Sequence, residues 1–331
     1  MELEATIVTR ARDLGRALAA EGDLADTFAF AEELSPCARE LGSDSTAYLR
    51  TLMSLGAGDL SVARVVEPHL DALAILSQAG IAADGGVWGV YAAHGPGHRL
   101  EAVADGGRWS LSGTKPWCSL AGEIAHAVVT AHTSATTTRA FAVSLRHPGV
   151  THPRQPWVPR GLSRIRSTTT QFAQVPAEAV GDDGWYLRRP GFAWGGIGVA
   201  AVWLGAAHAL LQTLADSAGR REPDQIALMH LGRADITVHA ATLALSDAAR
   251  AIDAGEATGR AGSVLADRLR SICAAALEEL VTITGHALGP APLTADDEHA
   301  RRIADATVYV RQHHAERDLA RLGGALLDSR A

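Results

Sequence analysis

The sequence predicts an α+β chain in three consecutive parts: N-terminal helices, a central small antiparallel β-barrel or sandwich, and a C-terminal four-helix bundle. Three observations carry this. Apolar residues recur at helical spacing from Ala5 to about Gln78, short β-branched and aromatic runs fill roughly 84–182, and the helical period returns in long stretches after Arg189-Pro190-Gly191. The boundaries expected from these changes of period are 1–83, 84–185 and 186–331.

In the first part Ile7, Ala11, Leu14 and Leu18 mark one helix face, and Leu60, Ala63, Val66, Leu70 and Leu73 mark another behind an N-cap at Asp59. Gly22, Ser35-Pro36 and Gly56-Ala57-Gly58 punctuate the segment into several short helices. The second part reads as strands at 87–91, 100–104, 109–111, 127–129 and 140–143. Asp105-Gly106-Gly107 is a hairpin turn, because glycine adopts the positive φ that such turns require. The third part reads as helices at about 197–217, 226–254, 262–286 and 297–322, Ala- and Leu-rich with dispersed charges, and four helices of that length imply a bundle.

A chain of 331 residues can bury a substantial core and a large cofactor, and 47% hydrophobic with 20% charged residues is an ordinary globular composition. The net charge of −7 provides no broad basic field, so no extended nucleic-acid partner is expected and a small-molecule substrate is. The opening MELEATIVTRARDLG has no apolar leader core, and no stretch reads as long enough to span a bilayer without charge; no membrane association is expected. Cys37, Cys118 and Cys273 are widely spaced and odd in number, which points away from a disulfide framework and toward a reducing cytoplasm. His313, His314 and Glu316 fall close together, but without a second Glu-x-x-His pair no metal is expected.

Local strings add to this order of parts. Gly113 to Ser119 reads GTKPWCS at the end of a hairpin; Gly161-Leu162 through Ser167 precedes Phe172 and Val175-Pro176-Ala177-Glu178; Gly205-Ala-Ala-His-Ala-Leu is followed by Arg221. In this order, from about Gly58 to Gly323, they resemble the acyl-CoA dehydrogenase superfamily, as a short and divergent member. The resemblance implies FAD held between the β domain and the bundle, and a homodimer or homotetramer in which neighbours complete the cofactor site. It also implies oxidation of an acyl thioester or related carbonyl substrate, a base taking the Cα proton while a hydride leaves Cβ for the flavin N5. By position, Trp117 would lie on the isoalloxazine, Ser119 would bond near its N5 edge, Arg221 would reach the pyrophosphate, and Gly285 stands in the late glycine string that faces the neighbour's FAD. On the residues alone, Trp117 also reads as a core residue and Arg221 as a solvated helix end.

Departures from the family pattern fall on its catalytic equipment. Phe192-Ala-Trp194-Gly195-Gly196 has no carboxylate at the early base position, and counting from Asp305 the late base position falls on His313. His313 is the candidate base, since an imidazole titrates near neutrality, and Glu316 is the second candidate. The family's TEPxxGSD-type loop is replaced by Tyr91-Ala-Ala-His94-Gly-Pro-Gly97-His98, and its QxxGGxGY string by Thr284-Gly285-His286-Ala-Leu-Gly289-Pro290. Three functions follow as expectations: a dehydrogenase with His313 as base, a flavin monooxygenase using FMN or FAD and needing no Cα base, and a degenerate subunit completing a partner's site in a hetero-oligomer.

Overall fold

A computed structural model describes residues 1–220 and 222–328. Its first part consists of α1 (Ala5–Glu21), α2 (Ala25–Glu33), a 3-10 turn (Ser35–Arg39), α3 (Ser45–Gly58) and α4 (Leu60–Gln78). Gly22 ends α1 in the left-handed conformation, its N–H donating to Leu18 O. The carboxylate of Asp59 accepts from the N–H groups of Ser61 and Val62, which makes it the N-cap of α4 that the sequence predicts.

Strands β1 (Trp88–Tyr91), β2 (Leu100–Asp105), β3 (Arg108–Ser119), β4 (His126–His132), β5 (Thr138–Ser144), β6 (Val150–Thr151) and β7 (Ser167–Val180) form one seven-stranded sheet ordered β1-β4-β2-β3-β7-β5, with β6 on β7. Pairing of β4 with β5 closes it into a small barrel. The β2–β3 turn is the predicted one, with Gly106 and Gly107 at φ 55° and 81°. The sheet departs from the antiparallel expectation on both sides of β4: β1 runs parallel to it, with the β2–β3 hairpin lying between them in sequence, and β2 meets it in parallel at Glu101 and His132.

The third part holds α5 (Trp185–Arg188), α6 (Pro190–Ala218), α7 (Gln225–Asp253), α8 (Gly259–Leu288), α9 (Ala291–Ala295), α10 (Asp297–Tyr309), a 3-10 turn (Val310–Gln312) and α11 (Glu316–Asp328). The single helix expected over 297–322 is therefore two. Arg270 donates to the Gln312 carbonyl, the acceptor that a continuing helix would offer to residue 316, and Ala315 turns the chain at φ 47°. The new helix begins with Asp318 accepting from the N–H of His314. Asp318 is the one buried residue of α11, Leu319 and Leu327 are exposed, and the helix is tied to α8 by paired Arg321–Asp267 hydrogen bonds of 3.0 and 2.6 Å.

A second expectation also needs correction. α6 is 29 residues long with a mean hydropathy of 1.6 over its most apolar window, enough to cross a bilayer by length and composition. Of that window 67% is buried inside the protein, where α6 is surrounded by α3, α4, α7, α8 and α10. Its apolar surface is that of a core helix.

Two glycines set how closely α6 lies on α3. A Cβ at Gly205 would stand 1.9 Å from Met53 O, and one at Gly56 would stand 2.1 Å from Val202 O. The backbones touch, and no neighbouring side chain can move to make room. Gly205→Ala is expected to lower stability by about 3 kcal/mol or more, read as a lower urea midpoint. An unchanged midpoint would show that this crossing has room for a methyl group.

Candidate functional site

At the end of β3 the ladder with β7 slips: Lys115 faces Thr170 but Cys118 faces Thr168, so two residues oppose one in a β-bulge. Trp117 occupies this bulge at φ 60° and is 63% exposed. A bulky residue in the left-handed region is strained, and a bare indole on the surface adds to the cost. Both sides of the bulge are anchored. Lys115 is buried and its ammonium donates to Thr130 O at 2.7 Å and Thr130 Oγ1 at 2.8 Å; burial pushes its pKa down to about 8. On the other side the Ser119 hydroxyl lies 2.7 Å from that of Ser167, and the Tyr91 hydroxyl donates to Ser119 O at 2.7 Å.

Ser119 connects to a buried polar seam. Arg64 of α4 donates to Ser119 Oγ at 3.3 Å, lies over the Tyr309 ring at 5.6 Å, and sits 3.7 Å from Glu67 one turn along its own helix. The Tyr309 hydroxyl donates to Glu67 Oε2 at 3.3 Å. Burial raises the Glu67 carboxyl to about 7; Arg64 and the Tyr309 bond pull the other way and do not cancel it. Beyond Tyr309 stands Trp203, fully buried and edge-on to it at 6.4 Å, with Arg270 under the indole at 4.9 Å.

His313 packs against that same Trp203 at 6.5 Å. Its Nε2 is 3.1 Å from Ser271 Oγ and 3.9 Å from Asp318, and burial lowers its pKa, with Asp318 opposing. These three side chains are not a nucleophilic triad. Hydroxyl and carboxylate approach the same ring nitrogen, whereas charge stabilisation during proton transfer needs them on opposite ones. Moreover Ser271 Oγ donates to Asp267 O within its own helix.

Asp305, one turn before Tyr309 on α10, fixes the seam to the rest of the chain. Its carboxylate accepts from Leu162 N at 2.6 Å and from Ser61 Oγ at 3.0 Å, and burial raises its pKa to about 6. Arg302 donates to the carbonyls of Gly56, Ala57 and Gly58 at the end of α3.

Residues 182–310 match the family described as acyl-CoA dehydrogenase, C-terminal domain. The whole chain superposes on butyryl-CoA dehydrogenase from Megasphaera elsdenii with a TM-score of 0.80 at 19% identity, over 99% of both chains. The chain has the acyl-CoA dehydrogenase fold. KijD3, solved with FMN and dTDP-3-amino-2,3,6-trideoxy-4-keto-3-methyl-D-glucose, is similar with a TM-score of 0.80 at 20% identity, over 98% of this chain and 92% of its own. TdsC from Paenibacillus sp. A11-2, a dibenzothiophene monooxygenase solved with FMN and indole, gives 0.80 at 15% identity, over 98% and 96%. No curated protein matches the sequence.

On this acyl-CoA dehydrogenase fold the sequence-predicted residues separate. Trp117 and Ser119 share one bulge, and the exposure of Trp117 removes its reading as a core residue. The loop carrying His94 and His98 lies beside them, where a Cβ on Gly95 would meet Pro116 at 3.2 Å. His313 joins the seam through Trp203. Glu316 is exposed on the first turn of α11, beyond the break in the helix, and does not share a helix with His313. Arg311 pairs with Glu278 of α8 instead of Glu316. Gly285 is exposed near the end of α8, with no atom close to where a Cβ would lie. Arg221 lies outside the described residues. Arg64, Glu67 and Tyr309 were not among the candidates. The signal for two of them was present: charges at 64 and 67 interrupt an otherwise apolar LSVARVV face with helical spacing.

The raised Glu67 carboxyl carries a stability consequence. With its folded pKa near 7 and an unfolded value near 4.5, the favourable contribution of its protonated form is complete below the unfolded value and lost as pH rises toward 7. Glu67→Gln keeps an acceptor for Tyr309 and never ionises. It is expected to stabilise the protein relative to wild type at pH 8 by on the order of 3 kcal/mol, narrowing to near zero at pH 4.5. Parallel melting curves across that range check this, and a difference independent of pH would contradict it.

Proposed function

We propose that this chain is a flavin-dependent oxidoreductase acting as a monooxygenase on a small organic molecule. The observation that carries flavin binding is the bulge: a flat aromatic side chain held outward against its backbone preference, next to paired hydroxyls and a guanidinium. An isoalloxazine has an apolar face for Trp117 and a polar edge for Ser119, and these residues fit it. When bound, the flavin supplies electrons to dioxygen, one oxygen atom going to the substrate and the other to water. Arg64 orients Ser119 and places positive charge at that edge.

Oxygenase chemistry, as opposed to Cα–Cβ oxidation, is supported by the state of the bases. Glu67 is engaged by Tyr309 and lies beside Arg64, His313 by Ser271, and Glu316 is exposed on α11. Glu67 is thus held at Oε2 and flanked by a cation, and His313 is held at Nε2. The similarity to structures solved with FMN supports FMN, while FAD rests on Arg221 and Gly285 reaching a pyrophosphate from a neighbouring copy in a homodimer or homotetramer. A dehydrogenase using His313 is the second reading, favoured by the lowered pKa that keeps its imidazole neutral at pH 7.

Titration of the purified protein with FMN and FAD, followed by visible absorbance, tests the flavin. Stoichiometric binding is expected, and Trp117→Ala should weaken it about ten-fold or more while leaving the melting temperature unchanged. A protein that takes up neither flavin leaves the partner-subunit reading.

Isotopically labelled dioxygen with reductase-supplied flavin then separates the two reactions. A monooxygenase puts label into product. A dehydrogenase instead bleaches bound flavin anaerobically on adding an acyl thioester, and His313→Ala should slow that bleaching by about 100-fold or more.

A further inference from the structure

We propose that Arg64 is the substrate-recognising residue of this site, and that the substrate presents a carboxylate oxygen to it beside Ser119. The place of this contact in a reaction rests on the flavin reading; the binding itself does not.

The first support is the bonding of Arg64. Its side chain is 16% exposed, yet among the described residues the one hydrogen bond its guanidinium donates is to Ser119 Oγ at 3.3 Å. Glu67 stands 3.7 Å away, beyond hydrogen-bond range, and its carboxylate accepts from Tyr309. A guanidinium removed from water normally satisfies its fork of donors, most strongly with a carboxylate.

The second is space. Arg64, Val65, Pro68, Tyr91, Ser119 and Ile124 line part of a cavity of about 20 Å³. That volume admits about one water-sized group, so this point receives a single oxygen atom and excludes an alkyl chain. The rest of the ligand must stand outside this cavity.

The third is the surroundings of Glu67. It faces Tyr48 from α3, Arg64 and Asp71 from α4, Tyr186 from α5, Arg270 from α8 and Tyr309 from α10. Its carboxyl titrates near 7, so below neutrality the charge of Arg64 is left uncompensated by its nearest carboxylate. Binding of an anion should therefore be tighter at pH 6 than at pH 8.

Calorimetry on the full chain with benzoate and benzamide, which share shape and differ in charge, tests this without requiring flavin. For wild type at pH 6, benzoate is expected to bind about ten-fold tighter than benzamide, with the ratio falling at pH 8. Arg64→Lys should keep part of the preference and Arg64→Gln should lose it. Glu67→Gln should make benzoate affinity equal at the two pH values. Because Arg64→Gln alone leaves Glu67 without its cation, the double variant Arg64→Gln/Glu67→Gln, with both charges removed, repeats the measurement in a fold free of that defect. Equal affinity for the two probes in wild type, or a benzoate preference surviving in the double variant, overturns the proposal. Flavin uptake measured separately by absorbance distinguishes the failures: its absence overturns the flavin reading and leaves the charge preference standing.

Discussion

Asp305 is the point at which the three stretches of chain are held to one another. It sits on α10, accepts the hydroxyl of Ser61 at the start of α4, and accepts the backbone N–H of Leu162 from the segment leading into β7. Burying a carboxylate is costly, as its raised pKa shows, and the two donors offset that cost only when both are in place. Gly161 makes the approach feasible, since a Cβ there would stand 1.9 Å from Ala304 O. With Ser61 set against Asp305, the next turns of the two helices follow in register, and Glu67 meets Tyr309. The candidate site is thus a consequence of a polar contact made about one helical turn away from it.

The glycine crossing of α3 and α6 acts on the same region from the other side. Bringing α6 down onto α3 seats Trp203 at full burial between Tyr309 and the ring of His313. Large aromatic side chains therefore occupy the interior beside the seam, with Arg64 and Ser119 on its other side and Trp117 exposed beyond them.

Much of the fold was legible because it rests on periodicity and local turn chemistry. Asp59 as a cap, the Gly106-Gly107 turn and the starts of α7, α8 and α10 each follow from residues adjacent in sequence, whereas α6 starts at Pro190, ahead of the expected 197. The break at 313–315 was not legible, because its cause is Arg270, some forty residues earlier, competing for one carbonyl. The apolar length of α6 was underestimated, while its place in a helical bundle was expected: a run of apolar residues states only that water is unfavourable, and what covers it is decided by helices elsewhere in the chain. In the candidate site, Trp117 and Ser119 were singled out through a local string. Arg64 and Glu67 looked like ordinary helix charges, and their significance depends on Tyr309 arriving from the far end of the sequence. His314 and Asp318 are joined across the turn that starts α11 and not within one helix.

α11 differs from every other long helix in how it is held. Its attachment to α8 is ionic, through Arg321 with Asp267, supported by Asp318, while its leucines Leu319 and Leu327 face outward. Dissolved salt acts on these two features in opposite senses. Screening shortens the reach of exposed charges to about 10 Å at 0.1 M and about 3 Å at 1 M, loosening the attachment, while strongly hydrated salts increase the drive of bare apolar surface to find cover. Ionic strength is therefore a variable that acts on how firmly α11 is held to α8.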